Sequence, residues 1–445
     1  MEKSRLISKI ENIIRQRVAQ EKEQKINIID NAYPILTEKL IIIYLQVKKS
    51  QLINNDFLNT LSNIISLHID QLIQVIKNGK ELTQGNKKED IDENQEMNKR
   101  IKSMTKIIKS IDDSDFNNKF HFFEKLKLHE NIALFLHFNC PTEIICPLNI
   151  YNNMNQNLKE LQIASLTLLQ NITYINEVQN YLINTHPIIP HLIISSISFA
   201  SSCSTYQHQI KVQQQSVSMQ SINFVGQQLH LLYNLLKTEI PDFLEIILYP
   251  NLIQSLIKLN QYRIVEYISE EMDKVAFQIR NKCIQLFERI YEEGNQNALE
   301  SLTKNGHANS LVIKVGADDG YYGIDGEELD SNLFDLRCFF RTLHKGRQFN
   351  PQYQVYPSYP PQICLAQQSK EQLEEEGSLE EIDAYLANQL NNEKIKKSAN
   401  QAKNSIFNIF HDDANTYDGK DEDLYEDAHE EGEESSEEFG DDGDE

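Results

Sequence analysis

The sequence predicts an all-α fold, an α-solenoid in which helical units stack one on another. Glycine and proline are scarce, at 15 and 11 of 445 residues, which favours helices over a β-rich fold. Apolar residues recur at helical spacing along much of the chain. Units of about forty residues with one apolar face cannot bury that face alone and need similar neighbours. These features are typical of armadillo-type repeats, and they indicate binding rather than catalysis.

The segment at 157–194 shows this pattern most clearly. An amphipathic helix is followed by a break, and a second pattern begins after Asn176. A third pattern follows the prolines Pro187 and Pro190. The same order of long helix, break and helix recurs after Asn223 and again from Phe277. We therefore expect the solenoid to span 99–410.

The regions outside that solenoid differ from it in composition. Residues 1–78 predict N-terminal helices, whereas 79–98 are rich in charge and have no apolar period, which indicates a flexible insertion. The glycine- and acid-rich stretch at 317–330 predicts a surface loop, and the Ser/Gln-rich stretch at 200–222 predicts a loop or a weak helix start.

The acidic charge is concentrated in the C-terminal tail. Residues 411–445 contain 18 Asp and Glu against one lysine, a net charge of −17. Of the total of −23, only −6 therefore remains for 1–410. This composition predicts a disordered acidic tail on a mildly acidic folded part, and it does not suggest nucleic-acid binding.

The residue pattern gives little support for chemistry. The six cysteines form no C-x-x-C pair, and zinc sites usually contain closely spaced ligand pairs. His121, His129 and His137 recur at intervals of eight, whereas a metal on one helix needs intervals of three or four. His186 and His191 flank a Pro-Ile-Ile-Pro turn. With no catalytic-triad context and no phosphate loop, we expect no enzyme, no metal and no cofactor.

Membrane and secretory signals are also lacking in the sequence. No apolar run reaches the length of about eighteen residues that a transmembrane helix requires. The first residues have charges among their apolar positions and do not form a signal-peptide core. We expect a soluble intracellular protein with no membrane contact.

The C-terminal part of the chain resembles the importin-α (karyopherin-α) armadillo adaptors. Acids at 374–376 precede Gly377-Ser378-Leu379, where that family has Gly-Gly-Leu, and the helix end at 405–410 and the acidic tail follow in similar order. The resemblance implies an adaptor that binds basic nuclear-localisation peptides and works in cytoplasm and nucleus. It also implies importin-β and an export factor as partners through 371–410.

Two further helices resemble the importin-α groove helices, which carry Trp and Asn four residues apart. The Asn positions correspond to Asn171 and Asn234, and the Trp positions correspond to Thr167 and His230. The resemblance implies these four as cargo-binding residues. The protein has no tryptophan, however, and in the next copy the Asn position falls near Arg289. A flat stacking surface for cargo lysines is therefore missing.

A second resemblance is to armadillo-like proteins related to serum amyloid A-like protein 1, at 131–139 and the helices after it. The alternative to a transport adaptor is therefore a non-catalytic scaffold that keeps the solenoid but has lost import-signal binding.

Overall fold

The computed structural model describes most of the chain between residues 55 and 408. The described residues are 9, 11–16, 41–42, 44–45, 55–78, 88–138, 140, 144, 146, 148–149, 156–209, 218–237, 243–262, 269–316, 326–348, 356–387 and 393–408. The acidic tail at 411–445 lies outside these residues, so its predicted disorder stays a prediction.

The described residues are mostly helical, and the predicted all-α class is confirmed. The first half contains α1 (Asn55–Asn78), α2 (Lys88–Asp112), α3 (Phe116–Phe120), α4 (Leu128–Ala133), α5 (Gln156–Asn171), α6 (Asn176–Asn180), α7 (Ile189–Gln209) and α8 (Met219–Leu236). The second half contains α9 (Phe243–Ile247), α10 (Leu252–Asn260), α11 (Glu270–Glu293), α12 (Gln296–Lys304), α13 (His307–Gly316), α14 (Gly326–Lys345), α15 (Ile363–Glu375), α16 (Ser378–Ala387) and α17 (Glu393–Ile406). Short π-helical turns extend α3 and α6, and a 3-10 turn, Leu134–His137, extends α4.

Two series of helices form, and within each series a helix packs against the one three positions later in the chain. The long helices α2, α5, α8, α11, α14 and α17 form one continuous series, which we call the long-helix row. A second series joins α7, α10, α13 and α16, and α12 packs on α15. Cross-helix hydrogen bonds between α2 and α5 and between α5 and α8 join residues 59 to 64 positions apart. Each contact in the long-helix row therefore joins two helices that lie one three-helix unit apart in the chain.

The helix ends have ordinary sequence causes. Ser218, Ser269 and Asn295 cap α8, α11 and α12, each accepting a backbone N–H bond on its side-chain oxygen. The buried side chains form one continuous apolar cluster that runs through all of the helical series. Each helix is thus held by its apolar stripe rather than by its own propensity.

Three predicted boundaries differ from the structure. Helix α2 begins at Lys88 and α7 runs to Gln209, so part of each predicted loop is helical, and α14 begins at Gly326 inside the predicted loop at 317–330. A helix can be built from Lys, Glu, Gln and Ser without an apolar period. Periodicity alone therefore did not predict these helical residues. Residues 79–87, 210–217 and 317–325 lie outside the described residues. No described helix is both long and apolar enough to cross a membrane.

A short return of the chain follows α14. Arg347 and Tyr359 form an isolated antiparallel bridge, with hydrogen bonds of 2.9 and 3.0 Å. Gly346 precedes the bridge with a φ of +63°, and a Cβ there would lie 2.6 Å from the Tyr359 carbonyl oxygen. The Arg347 guanidinium donates to the Gly294 and Pro357 carbonyls, which ties the return to the end of α11.

Replacing Gly346 by alanine should destabilise the protein by about 2–4 kcal/mol, because backbone strain and a clash with backbone act together. Gly306 is the matched control: its φ is +75°, but nothing lies within 4 Å of a Cβ there. Gly306→Ala should cost only the backbone term, about 1 kcal/mol. Thermal unfolding of both variants tests this, and equal losses would contradict the clash.

Candidate functional site

One side of the long-helix row remains partly open. Each middle row helix is covered on two flanks by its row neighbours, and its apolar stripe faces the other helices. The partly exposed positions on α5, α8 and α11 recur at intervals of three and four, as one helical stripe requires. These stripes are Glu160, Ile163, Thr167 and Asn171; Gln220, Asn223, Gln227, His230 and Asn234; and Asn281, Gln285, Glu288 and Glu292. We call the three stripes together the amide face, since half of their members are Asn or Gln.

The amide face is organised by hydrogen bonds between helices. Gln220 donates to Glu160 over 3.1 Å, and the Thr167 hydroxyl lies 3.3 Å from the side-chain oxygen of Gln227. Lys282 donates to Gln285 over 2.7 Å, and its ammonium lies 4.9 Å from the Tyr233 ring centre. Side chains held in this way lose less entropy when a partner arrives.

The structure places all four predicted cargo-binding residues on the amide face. Thr167 bonds back to the Ile163 carbonyl, as threonines in helices commonly do. His230 is half-buried, and burial together with the nearby Lys282 charge lowers its pKa to about 4. His230 is therefore a neutral ring at pH 7. Whether these residues contact a cargo stays a prediction.

The two predicted asparagines and Arg289 share a structural task. Asn171 donates to the Asp112 carboxylate at 3.0 Å, and Asn234 donates to the Gln170 carbonyl at 3.0 Å. Arg289 donates to the Lys237 carbonyl at 3.2 Å. In each case a donor near the end of one row helix satisfies an acceptor at the end of the preceding one. The position that the resemblance assigned to cargo thus links consecutive row helices.

A carboxylate cluster lies where α11 meets α14, and sequence reasoning missed it. Asp335 is fully buried, and Glu288 and Glu292 lie near it on α11. Burial, followed by the Asp335 and Glu292 charges, raises the pKa of Glu288 to about 8. The charges of Asp335 and Glu288 add to burial in raising the pKa of Cys338 to about 12. A cation bound at this cluster would favour the ionised form of Glu288, which would then release its proton.

Other acidic residues near the helix breaks around α9 and α11 do not belong to this cluster. Glu270 and Glu271 are in the first turn of α11, and Glu245 is exposed on α9. Asp242 and Glu266 lie outside the described residues. Glu288 could have been found from the sequence only by its i, i+4 spacing to Glu292, a pattern that is usually a solvated helix face.

The comparisons with known proteins do not identify a family. No protein-family model matches the chain, and no curated protein matches it significantly. A functional assignment therefore depends on the geometry of the amide face and its surroundings.

Replacing Asn234 by alanine should lower the stability of the protein by about 1 kcal/mol, because the partly buried Gln170 carbonyl loses its donor. Asn171→Ala should cost less, about 0.5 kcal/mol or below, since its bond to Asp112 is exposed. Urea unfolding midpoints measure both. A larger loss for Asn171→Ala than for Asn234→Ala would contradict this order.

Glu288→Gln should stabilise the protein at high pH and not at low pH. The unfolded carboxyl titrates near 4.5 and the folded one near 8, so the native state binds the extra proton between these values. Stability of the parent protein should therefore fall as pH rises through this window and level off above it. The variant should be more stable by about 2 kcal/mol near pH 9. Urea unfolding across this range measures the difference, with exposed Glu245→Gln as the control; a pH-independent difference would contradict the raised pKa.

Proposed function

We propose that this protein is a non-catalytic, armadillo-type solenoid scaffold that binds an extended segment of a protein partner across the amide face. The stacking of every third helix supports the armadillo arrangement, since each three-helix unit then repeats the one before it. The observation that carries the binding proposal is the ordered set of half-exposed Asn and Gln side chains on three consecutive row helices.

Side-chain amides suit an extended polypeptide because each one offers both a donor and an acceptor. An extended segment presents main-chain N–H and C=O groups along its length, and these need partners when water is displaced. Asn223 and Gln227 lie one turn apart on α8, and their side chains are 3.3 Å apart. Asn281 and Gln285 repeat this spacing on α11. Main-chain recognition of this kind depends little on the partner's side chains.

The charges around the amide face differ at its two ends. Lys102, Lys106 and Lys109 are exposed along α2 at the N-terminal end of the row. Glu288 and Glu292 lie on α11, toward the C-terminal end. A bound segment would therefore gain from acidic residues near α2 and from a basic residue near α11. This polarity sets the direction in which a segment lies.

A second candidate is the adaptor for basic nuclear-localisation peptides, with importin-β and an export factor as partners through 371–410. The carboxylate cluster favours it, because Glu288 lies at the edge of the amide face and would suit a lysine, although Glu292 one turn away already pairs with Arg289 at 2.9 Å. Against it, Asn171 and Asn234 already donate their amide protons to the protein itself. Thr167 and His230 also supply no flat stacking surface.

Peptides selected from a random display library on the full chain test the scaffold proposal. Gln227→Ala should weaken the selected peptides at least tenfold in fluorescence anisotropy, because an amide in the centre of the face is lost. Gln254→Ala, an exposed amide on α10, is the matched control and should leave affinity unchanged. Selected peptides that bind both variants equally, or an absence of any enriched peptide, would overturn the proposal.

A labelled Lys/Arg-rich peptide forms the second arm of the same experiment. Binding that is weakened by Glu288→Gln, spared by Glu245→Gln and strengthened as pH rises from about 6 to about 8 would support the adaptor. The pH trend follows because a cation favours the ionised form of Glu288. No binding of this peptide, with intact binding of library peptides, would reject the adaptor and keep the scaffold.

A further inference from the structure

Two histidines and two cysteines from separate parts of the chain meet beside α4 and α7. His137 ends the 3-10 turn after α4, and Cys140 and Cys146 follow it in the connection to α5. His191 lies in the first turn of α7. One ligand atom from each of the four lies within 4.8 Å of every other. None of the four residues lies on the amide face.

The spacing of these atoms matches a tetrahedral metal site. His137 Nδ1 is 3.2 Å from Cys146 Sγ and 3.6 Å from Cys140 Sγ. Zinc–sulfur bonds of about 2.3 Å and zinc–nitrogen bonds of about 2.0 Å place neighbouring ligands about 3.3–3.8 Å apart in a tetrahedron. The remaining separations, up to 4.8 Å, need only small side-chain movements to reach these values.

The polar atoms at this site are poorly satisfied by the protein. Both ring nitrogens of His191 are buried, and neither has a hydrogen-bond partner among the described residues. A nearby acceptor is the Pro187 carbonyl, whose weak contact with His191 partly offsets the lowering of the His191 pKa by burial. The Cys140 and Cys146 thiols are free and are weak donors at best. The Cys140 thiol lies 3.4 Å from the His137 carbonyl, so His191 is the least satisfied member of the group, and a bound cation would satisfy its lone pair.

Neighbouring groups hold the site in place. His137 Nε2 lies 2.5 Å from His186 Nε2, and His186 Nδ1 lies 3.4 Å from the Tyr181 hydroxyl. A proton on His137 Nε2 would therefore be donated to His186 and would leave Nδ1 free as a ligand atom. The Asn149 side chain accepts the Cys140 backbone N–H at 3.0 Å, which fixes Cys140 relative to Asn149. These are the orienting contacts that metal ligands normally have.

We propose that His137, Cys140, Cys146 and His191 bind one Zn²⁺ ion as a structural site. Two thiolates and two imidazoles in a tetrahedral arrangement select zinc over the hard cations, which prefer oxygen ligands. Four protein ligands leave no open position for water or substrate, so the ion stabilises and does not catalyse. Binding releases the two thiol protons to solvent and forms two Zn–S and two Zn–N bonds.

The location of the site explains what the ion stabilises. Only Cys140, 144, 146, 148 and 149 are described within 139–155, the connection from α4 to α5. Zinc would anchor this connection to the first turn of α7 and so join two consecutive helical units. The spacing argument against zinc considered cysteine pairs and histidines separately, whereas the site combines His137 with Cys140 and Cys146 and adds His191 from α7.

Metal content of the purified full-length protein gives the first test. Elemental analysis should find one zinc per chain, and removal by a chelator should lower the thermal midpoint. Adding Co²⁺ to the metal-free protein should give the strong visible bands of tetrahedral cobalt and thiolate-to-cobalt charge transfer. This measurement needs no variant and remains decisive if substitutions impair folding.

Variants then assign the ligands. Cys146→Ser should weaken the thiolate bands expected of the parent, since Cys140 alone remains as a thiolate, or reduce the metal affinity by more than 100-fold. Cys364→Ser, which removes an exposed free cysteine on α15, should change neither. His186→Gln should keep the cobalt spectrum and weaken affinity about 10- to 100-fold, as loss of an orienting partner does. Metal-free protein that takes up no cobalt, or a Cys140–Cys146 disulfide revealed by a mass two hydrogens lower, would overturn the proposal.

Discussion

The packing of each helix against the helix three positions later is the constraint on which the rest of this structure depends. No unit can bury its apolar stripe alone, so the long helices α2, α5, α8, α11, α14 and α17 stack in sequence. Because the stacking uses two flanks and the apolar side of each middle helix, one narrow stripe stays open. The amide face is a consequence of that geometry, and its Asn and Gln residues occupy the positions that packing leaves free.

The polar contacts of the row serve the same stacking. Asn171, Asn234 and Arg289 each bond to the end of the preceding row helix, Asn171 to the Asp112 carboxylate and the other two to main-chain carbonyls. This use restrains the side chains that the importin-α resemblance assigns to cargo, because an N–H bonded within the protein is not available to a partner. The amides in the middle of the helices, such as Gln227, bond instead to other side chains of the amide face.

Two buried polar clusters depart from the apolar interior. Glu288 and Asp335 bring carboxyls together between α11 and α14, and burial raises the pKa of Glu288. In the first half of the chain, His137 and His191 lie beside the thiols of Cys140 and Cys146. Buried groups of this kind are unfavourable unless they are paired or neutral, and the second cluster is the one for which we propose a metal.

The sequence by itself determined the helical class, since helical periodicity and scarce glycine and proline depend on local chemistry alone. The resemblance to importin-α groove helices singled out Thr167, Asn171, His230 and Asn234, which lie on the partly exposed stripes of their helices. Only the tertiary structure decided the extent of α2 and α7, the bonds of Asn171 and Asn234, the Glu288–Asp335 cluster and the site of His137 and His191. These depend on contacts between residues tens of positions apart, and no local pattern encodes which distant side chain will lie opposite.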